Sequence, residues 1–403
     1  MTKIRVFALL STLIVVAIVG LFFSYYARGY RLNVTTLITK GVVKFQPNGI
    51  LVIKSEPDGA SVYINGDLKT ATNATISLSP GTYDVEIKKD GYFTWYKRLV
   101  IEKEIVTQAN VSLFKNVPSL SPVTFSGAQN PVASMDGTKI AYVIPFNKDL
   151  PTDKIGFWVM DTFALPLGFS IEPKRITDGD LANATYEFSP DGRQILLTLS
   201  NSIYLLDSGS FISQSQRVNM SSQKDSILSD WEKEKNARNA ILERNLPPDL
   251  VDILQRKASS FTFSPDEQMI LYTASSSATL PDNLIKPLPG SSTQNQERAI
   301  QMGRTYIYDT KEDRNFLISD QEVTFNSSQG PTLRFMPDGH HILLAREGQV
   351  VAMDYDGTNR QIIYSGSYTA PYAFPFSNAT KLLILTNLGG VSSTPNLYSL
   401  TVK

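Results

Sequence analysis

Four times in this sequence a Ser-x-Asp-Gly-like turn is followed, four residues after the acid, by an apolar run. The copies are Ser134-Met135-Asp136-Gly137 before Ile140-Ala141-Tyr142 and Phe188-Ser189-Pro190-Asp191-Gly192 before Ile195-Leu196-Leu197. Two more are Phe263-Ser264-Pro265-Asp266-Glu267 before Ile270-Leu271-Tyr272 and Phe335-Met336-Pro337-Asp338-Gly339 before Ile342-Leu343-Leu344. A worn fifth copy is Ser377-Asn378 before Leu382-Leu383-Ile384. A second strand-like run follows each: Phe157–Asp161, Ile203–Asp207, Tyr306–Asp309, Val350–Asp354 and Leu397–Leu400. Pro sets φ for a type I turn, Asp accepts backbone N–H bonds, and Gly takes the positive φ that ends the turn. The run after the turn is apolar on both faces, as an inner strand stacked between two neighbouring sheets must be. Short strands recurring in units of this kind predict a β-propeller.

The Ser-Pro-Asp-Gly turn, apolar strand and Asp-terminated strand resemble the TolB-like, WD40-like propeller repeat. The resemblance covers nearly all of residues 118–403 and implies five or six blades, a sixth being built from residues 114–130 and the chain ends. The copies are unevenly spaced, and two insertions account for most of this. Ser221 to Lys257 reads as helical: Ser222 is placed to cap it, and Ile227, Leu228, Trp231, Ala237, Ile241 and Leu242 roughly follow helical spacing. Pro247-Pro248 breaks it, and Asp249 is placed to cap a second short helix with Leu250, Val251 and Leu254. The insertion is read as a docking arm anchored by Trp231, or as a hairpin whose apolar side packs on the rest of the protein. Ser275 to Gly303, rich in Ser, Pro, Gln and Asn, reads as a long loop.

Between residues 49 and 117 the chain alternates and turns quickly. Ile50–Ser55 and Ala60–Ile64 are strand-like, separated by Pro57-Asp58-Gly59 and followed by Asn65-Gly66, a strong hairpin signal. Ser55-x-Pro57-Asp58-Gly59-Ala60-x-Val62-x-Ile64-x-Gly66, then Leu78-x-Pro80-Gly81-x-Tyr83-x-Val85, then Gly91-Tyr92 and Trp95, resemble a PEGA domain. Asp58 stands where that family has glutamate. The resemblance implies an extracytoplasmic β module, often beside a membrane anchor in bacterial and archaeal surface proteins, with no catalytic residues. It suggests binding to envelope carbohydrate or protein. Trp95 reads foremost as a core aromatic on a sandwich strand, with a sugar platform as the alternative.

Val6 to Phe23 is 18 residues without a charge, flanked by Lys3 and Arg5 before it and Arg28 and Arg31 after it. As a helix it reaches about 27 Å, close to the hydrocarbon thickness of a bilayer. Phe22, Phe23, Tyr25, Tyr26 and Tyr30 cluster where it meets the far interface. An uncleaved signal anchor with the bulk of the chain outside is the expectation. A cleaved signal is the rival reading, but no small-x-small pattern follows the apolar run.

The 403 residues hold no cysteine, two histidines and a formal net charge of +0. This removes disulfides, thiolate metal sites and cysteine nucleophiles, and a neutral chain without a basic run argues against a nucleic-acid partner. His340 and His341 are adjacent on a strand, point to opposite faces, and read as exposed turn residues. Thr138 stands where a sialidase-type Asp box needs glycine, so Ser134–Gly137 is not one. Asp354-Tyr355-Asp356-Gly357 opens like a calcium loop, but Ser365 occupies its twelfth position, so a hairpin turn is expected. Seven Asn-x-Ser/Thr sequons begin at Asn33, Asn73, Asn110, Asn183, Asn219, Asn326 and Asn378, in a composition where chance matches are common.

The expected fold is all-β. It comprises an N-terminal transmembrane helix (1–28), a juxtamembrane segment (29–48), a small antiparallel PEGA-like β-sandwich (49–117) and a five- to six-bladed β-propeller (118–403) with a helical insertion (221–257). The expected function is a non-catalytic, membrane-anchored envelope binding or scaffolding protein, with no cofactor, no metal and no catalytic residue. Its partners are the membrane and an envelope protein or cell-wall glycan, with Trp231 and Trp95 as candidate contacts. The alternatives are an envelope hydrolase using propeller-borne carboxylates and a structural surface stalk.

Overall fold

A computed structural model describes residues 2–27, 30–32, 45–163, 172–286, 293–320, 325–326, 330–388 and 394–403. Most of the juxtamembrane stretch (including Asn33) and residues 287–292 of the second insertion lie outside the described residues. Helix α1 spans Thr2–Ala27, and its segment Phe7–Tyr26 has mean hydropathy 2.6 with none of it buried in the protein. It is long and apolar enough to cross a membrane, and is a candidate anchor.

The chain divides into two compact units. One runs to Asp90 and includes Thr94–Leu113; the other holds Gly91–Phe93, Phe114–Pro287 and Gln294–Lys403. In the first, strands Ala74–Leu78, Gly49–Glu56 and Val106–Ser112 form one sheet, and Asp67–Ala71, Ser61–Ile64, Gly81–Lys88 and Trp95–Ile101 form another. One pairing is parallel, Gly49–Glu56 with Val106–Ser112, and the rest are antiparallel. Alternation buries Leu51, Ile53, Val62, Ile64, Val85 and Ile87, while their neighbours stay wet. Asn65 and Gly66 both take positive φ, 51° and 85°, as a tight hairpin requires.

The second unit is a propeller with five blades among the described residues. Blade I is Gln129–Ala133, Lys139–Ile144, Gly156–Asp161 and Lys174–Thr177; blade II is Thr185–Phe188, Gln194–Leu199 and Ser202–Asp207. Blade III is Ala258–Phe263, Met269–Ala274, Thr305–Asp309 and Arg314–Ser319; blade IV is Leu333–Phe335, His341–Arg346, Gln349–Asp354 and Gln361–Ser365. Blade V is Ala373–Pro375, Lys381–Thr386 and Asn396–Thr401, completed by Ser119–Pro122 from the start of the unit. Residues 114–130 therefore do not found a sixth blade. Their strand supplies the outer edge of the fifth and closes the ring.

The second strand of each blade shows why the sequence needed apolar residues at consecutive positions. Ala141 and Val143 of blade I pack with Ile195 and Leu197 of blade II, while Ile140, Tyr142 and Ile144 pack with Leu383 and Leu385 of blade V. Likewise Leu343 and Ala345 of blade IV meet Leu382 and Ile384 of blade V, and Ile342 and Leu344 meet Met269 and Leu271 of blade III. Each such side chain contributes roughly 1.5–3 kcal/mol when fully buried.

The repeated turn holds each blade's first hairpin. Ser134 Oγ, Ser189 Oγ and Ser264 Oγ donate to Asp136, Asp191 and Asp266 Oδ1, and the same Ser Oγ atoms accept the N–H of Lys139, Gln194 and Met269. Donation from Ser189 and from the Arg193 N–H holds the Asp191 carboxyl below its usual range. In the worn fifth copy Asn378 Oδ1 accepts from the Thr380 N–H and hydroxyl, so the amide does the acid's work. The turn's closing residue has positive φ in all five copies: Gly137 68°, Gly192 68°, Glu267 60°, Gly339 75° and Ala379 55°. A Cβ at Gly192 meets only Ser134 Cβ at 3.6 Å, an ordinary contact. Gly192→Ala is therefore expected to cost about 1 kcal/mol from backbone strain alone. Exposed Glu267→Gly is expected to leave the propeller as stable or more so, both read from urea unfolding midpoints.

Candidate functional site

The helical insertion leaves blade II and returns into blade III. Its departure is tied down: the Met220 N–H donates to Ile203 O at 2.7 Å, and Ser221 Oγ accepts the Ile203 N–H at 3.2 Å. A short 3-10 turn, Ser221–Gln223, leads into helix α2, Lys224–Glu243, and then into helix α3, Pro248–Arg256. Ser222 lies in the 3-10 turn and caps neither helix. Asp249 sits in the first turn of α3, where its charge suits the helix dipole, with Pro248 starting the helix.

The two helices have opposite fates. Helix α3 buries Leu250, Ile253 and Leu254, spaced i, i+3, i+4, against Ile270, Tyr272 and Tyr308 of blade III. That is the face which, in the other seams, receives a neighbouring blade. Helix α2 has no buried residue along its 20 positions. Ile227, Leu228 and Trp231, on one side of it, are half-buried, and Ile241 is 60% exposed. Two polar contacts steady it: Arg238 Nη1 lies 3.5 Å from Pro190 O in the blade II turn, and Gln255 of α3 donates to Glu243 Oε2 at 2.7 Å. The packed reading of the insertion thus describes α3, while α2 is only partly covered along one side.

Trp95 is 5% exposed, on the inward face of its sandwich strand. It presents no ring to a sugar, so the platform reading is corrected: alternation along Trp95–Ile101 turns it into the core. The described part of the second insertion also packs. Ala278–Thr279 pairs with Ala299–Ile300, and Leu280 and Ile300 are buried beside blade III. Arg298 pins it by pairing with Asp313 at 2.9 Å, and Tyr308 donates to the same carboxylate.

The histidine pair departs from its expected place. His340 is half-buried beside Tyr355, but His341 is 4% exposed, between Asp338 (2.9 Å) and Asp354 (3.6 Å). Lys403 Nζ reaches the same Asp338 oxygen at 2.9 Å. Sequence reasoning missed this cluster because Lys403 lies 65 residues from its partner; the only local sign was Met336 replacing the turn's serine. Burial opposes the Asp338 charge, but His341 and Lys403 outweigh it and hold the carboxyl well below the usual carboxylate range. A carboxylate so held is an anchor and not a proton donor. Asp354 and Asp356 serve the hairpin expected of them: Asp356 Oδ1 accepts from the Thr358 N–H and hydroxyl, and Asp354 Oδ2 from Asn359. Among the described residues no group of three His, Asp or Glu is arranged to hold a metal ion.

Residues 48–116 match the PEGA domain family. No curated protein matches the chain. Among solved structures it is similar to the putative TolB from Agrobacterium tumefaciens, at 14% identity over 68% of this chain and 78% of that one, TM-score 0.23. The TolB of Acinetobacter baumannii is 14% identical over 79% of this chain and 59% of that one, TM-score 0.23. The PQQ domain of pyranose dehydrogenase from Coprinopsis cinerea is 8% identical over 72% of this chain and 96% of that one, TM-score 0.29. The propeller assignment rests on the five blades themselves.

Two outcomes are expected. Leu250→Ala, at a fully buried site, should lower the stability of the propeller by about 2–5 kcal/mol, whereas Ile241→Ala should stay within about 0.5 kcal/mol, both by urea unfolding. Asp338 has a folded pKa below its unfolded value of about 3.9, so its contribution is present above about pH 4 and lost as pH falls below it. Between pH 5 and pH 2 the wild-type unfolding midpoint should therefore fall more steeply than that of Asp338→Asn; parallel curves contradict the assignment.

Proposed function

We propose that this chain is a membrane-tethered, extracytoplasmic binding protein of the cell envelope. It presents its propeller to a protein partner, with helix α2 as the recognition element and Trp231 as its anchor. The observation that carries this reading is the 20-residue helix α2, which buries no residue while α3, four residues on, is packed against blade III. A solvent-facing helix with a half-buried tryptophan beside Ile227 and Leu228 has the make-up of an interface anchor. The apolar helix α1 and the PEGA match support the tether and the envelope setting.

The role is binding and not catalysis. The carboxylates placed by the repeats accept turn hydrogen bonds, as Asp136, Asp191 and Asp266 do, or pair with buried cations, as Asp313 and Asp338 do. Trp95 is buried, so it lends no support to a glycan partner.

The test is crosslinking and pull-down from intact cells with the full-length chain and its Trp231→Ala variant. Removing residues 221–257 is the wrong comparison, because it also strips α3 from blade III. The expected result is a partner whose recovery falls about tenfold or more in the variant, as for an aromatic hot spot worth about 2 kcal/mol. An unchanged partner set would overturn α2 as the docking element, and no specific partner for either protein would favour a plain stalk.

A further inference from the structure

Two short segments belong to the propeller unit: Gly91–Phe93, flanked on both sides by sandwich residues, and Phe114–Asn116, which directly follows the sandwich residue Leu113; together they are termed the neck. They pair with each other: Tyr92 bridges Lys115, the Phe93 N–H donates to Phe114 O at 2.8 Å, and the Asn116 N–H donates to Gly91 O at 3.1 Å. They also pair with the chain just past Asn396–Thr401, the strand that Ser119–Pro122 joins in blade V, since the Lys115 N–H donates to Val402 O at 2.8 Å. Phe114 is 3% exposed in the core between blades IV and V, with Leu343, Leu382, Leu400 and Val402, and Phe93 packs against that cluster.

One carboxylate joins these parts. Asp338, in the turn of blade IV, bonds both His341 and Lys403 at 2.9 Å. The His341 ring meets the Phe114 ring edge-on at 5.3 Å, and Lys403 Nζ lies 5.7 Å from the centroid of that ring. The side chains of His341 and Lys403 are 5% and 3% exposed, so neither can exchange Asp338 for water without opening the seam. The difference from the other blades is specific. In copies one to three a serine hydroxyl two residues before the acid donates to it; in copy four that residue is Met336, and Asp338 takes the nearby His341 and the distant Lys403 instead.

We propose that Asp338, His341, Lys403 and Phe114 form a lock that fastens the neck to the seam of blades IV and V, so that neck and ring closure open as one unit. Its opening releases the neck pair, the Val402–Lys403 segment and the Phe114 side chain together.

Hydrogen exchange on the full-length chain tests it, comparing wild type with Asp338→Asn and with Phe114→Leu. The expected result is that the amides of Phe93, Lys115, Asn116, Val402 and Lys403 lose protection together, by about tenfold or more, in both variants. The amides of Ala141 and Leu197, in blades I and II, should keep theirs. Phe114→Leu keeps an apolar side chain in the core and carries the test alone if Asp338→Asn fails to fold. Neck amides that exchange independently of Val402, or unchanged protection in the folded variants, would overturn the proposal.

Discussion

A sheet that is apolar on both faces must be covered twice, and the propeller is the consequence of meeting that demand five times. Blades I, IV and V each send alternate residues of their second strand into two neighbours, through the clusters that join I to II, V to I, III to IV and IV to V. Blade III has a blade on one side and helix α3 on the other. The helix supplies Leu250, Ile253 and Leu254 where a sheet face would otherwise be needed. Closure in sequence terms falls to Ser119–Pro122, which completes blade V from the far end of the unit. The neck, the closing strand and the Asp338 cluster therefore meet at one seam.

The repeat turn shows how much of this was readable. Each turn's acid, its backbone bonds and its positive φ are local, so they follow from a few adjacent residues, even in the fifth copy where Asn378 and Ala379 replace Asp and Gly. The sandwich was legible for the same reason: Asn65-Gly66 and the alternation around Val62, Val85 and Trp95 are short-range signals. Three features were not. Ser119–Pro122 is a four-residue edge strand with little apolar content, so no pattern marks it. His341 looked like a turn residue because the ring it packs against, Phe114, and the Lys403 that shares its carboxylate come from elsewhere in the chain. The two helices of the insertion were read as one device, although the i, i+3, i+4 set Leu250, Ile253 and Leu254 differs visibly from α2, whose apolar side is interrupted by Lys235 and Arg238.

Separating those helices changes what the insertion means. The short one packs on blade III; in the proposed function the long one serves recognition, with Trp231 as the contact. In that proposal a membrane-inserted α1 confines the surface to two dimensions and raises its effective concentration for a partner held in the same layer.

The chain contains no cysteine, so single thiols report their own surroundings without background. The most direct measurement is the reaction rate of Ile241→Cys and Leu254→Cys with a water-soluble thiol reagent under native conditions. If α3 seals blade III while α2 stands free, Ile241→Cys reacts at the rate of an unfolded control and Leu254→Cys at least about a hundredfold more slowly, limited by opening of the packed seam. Comparable rates at the two positions would contradict the account.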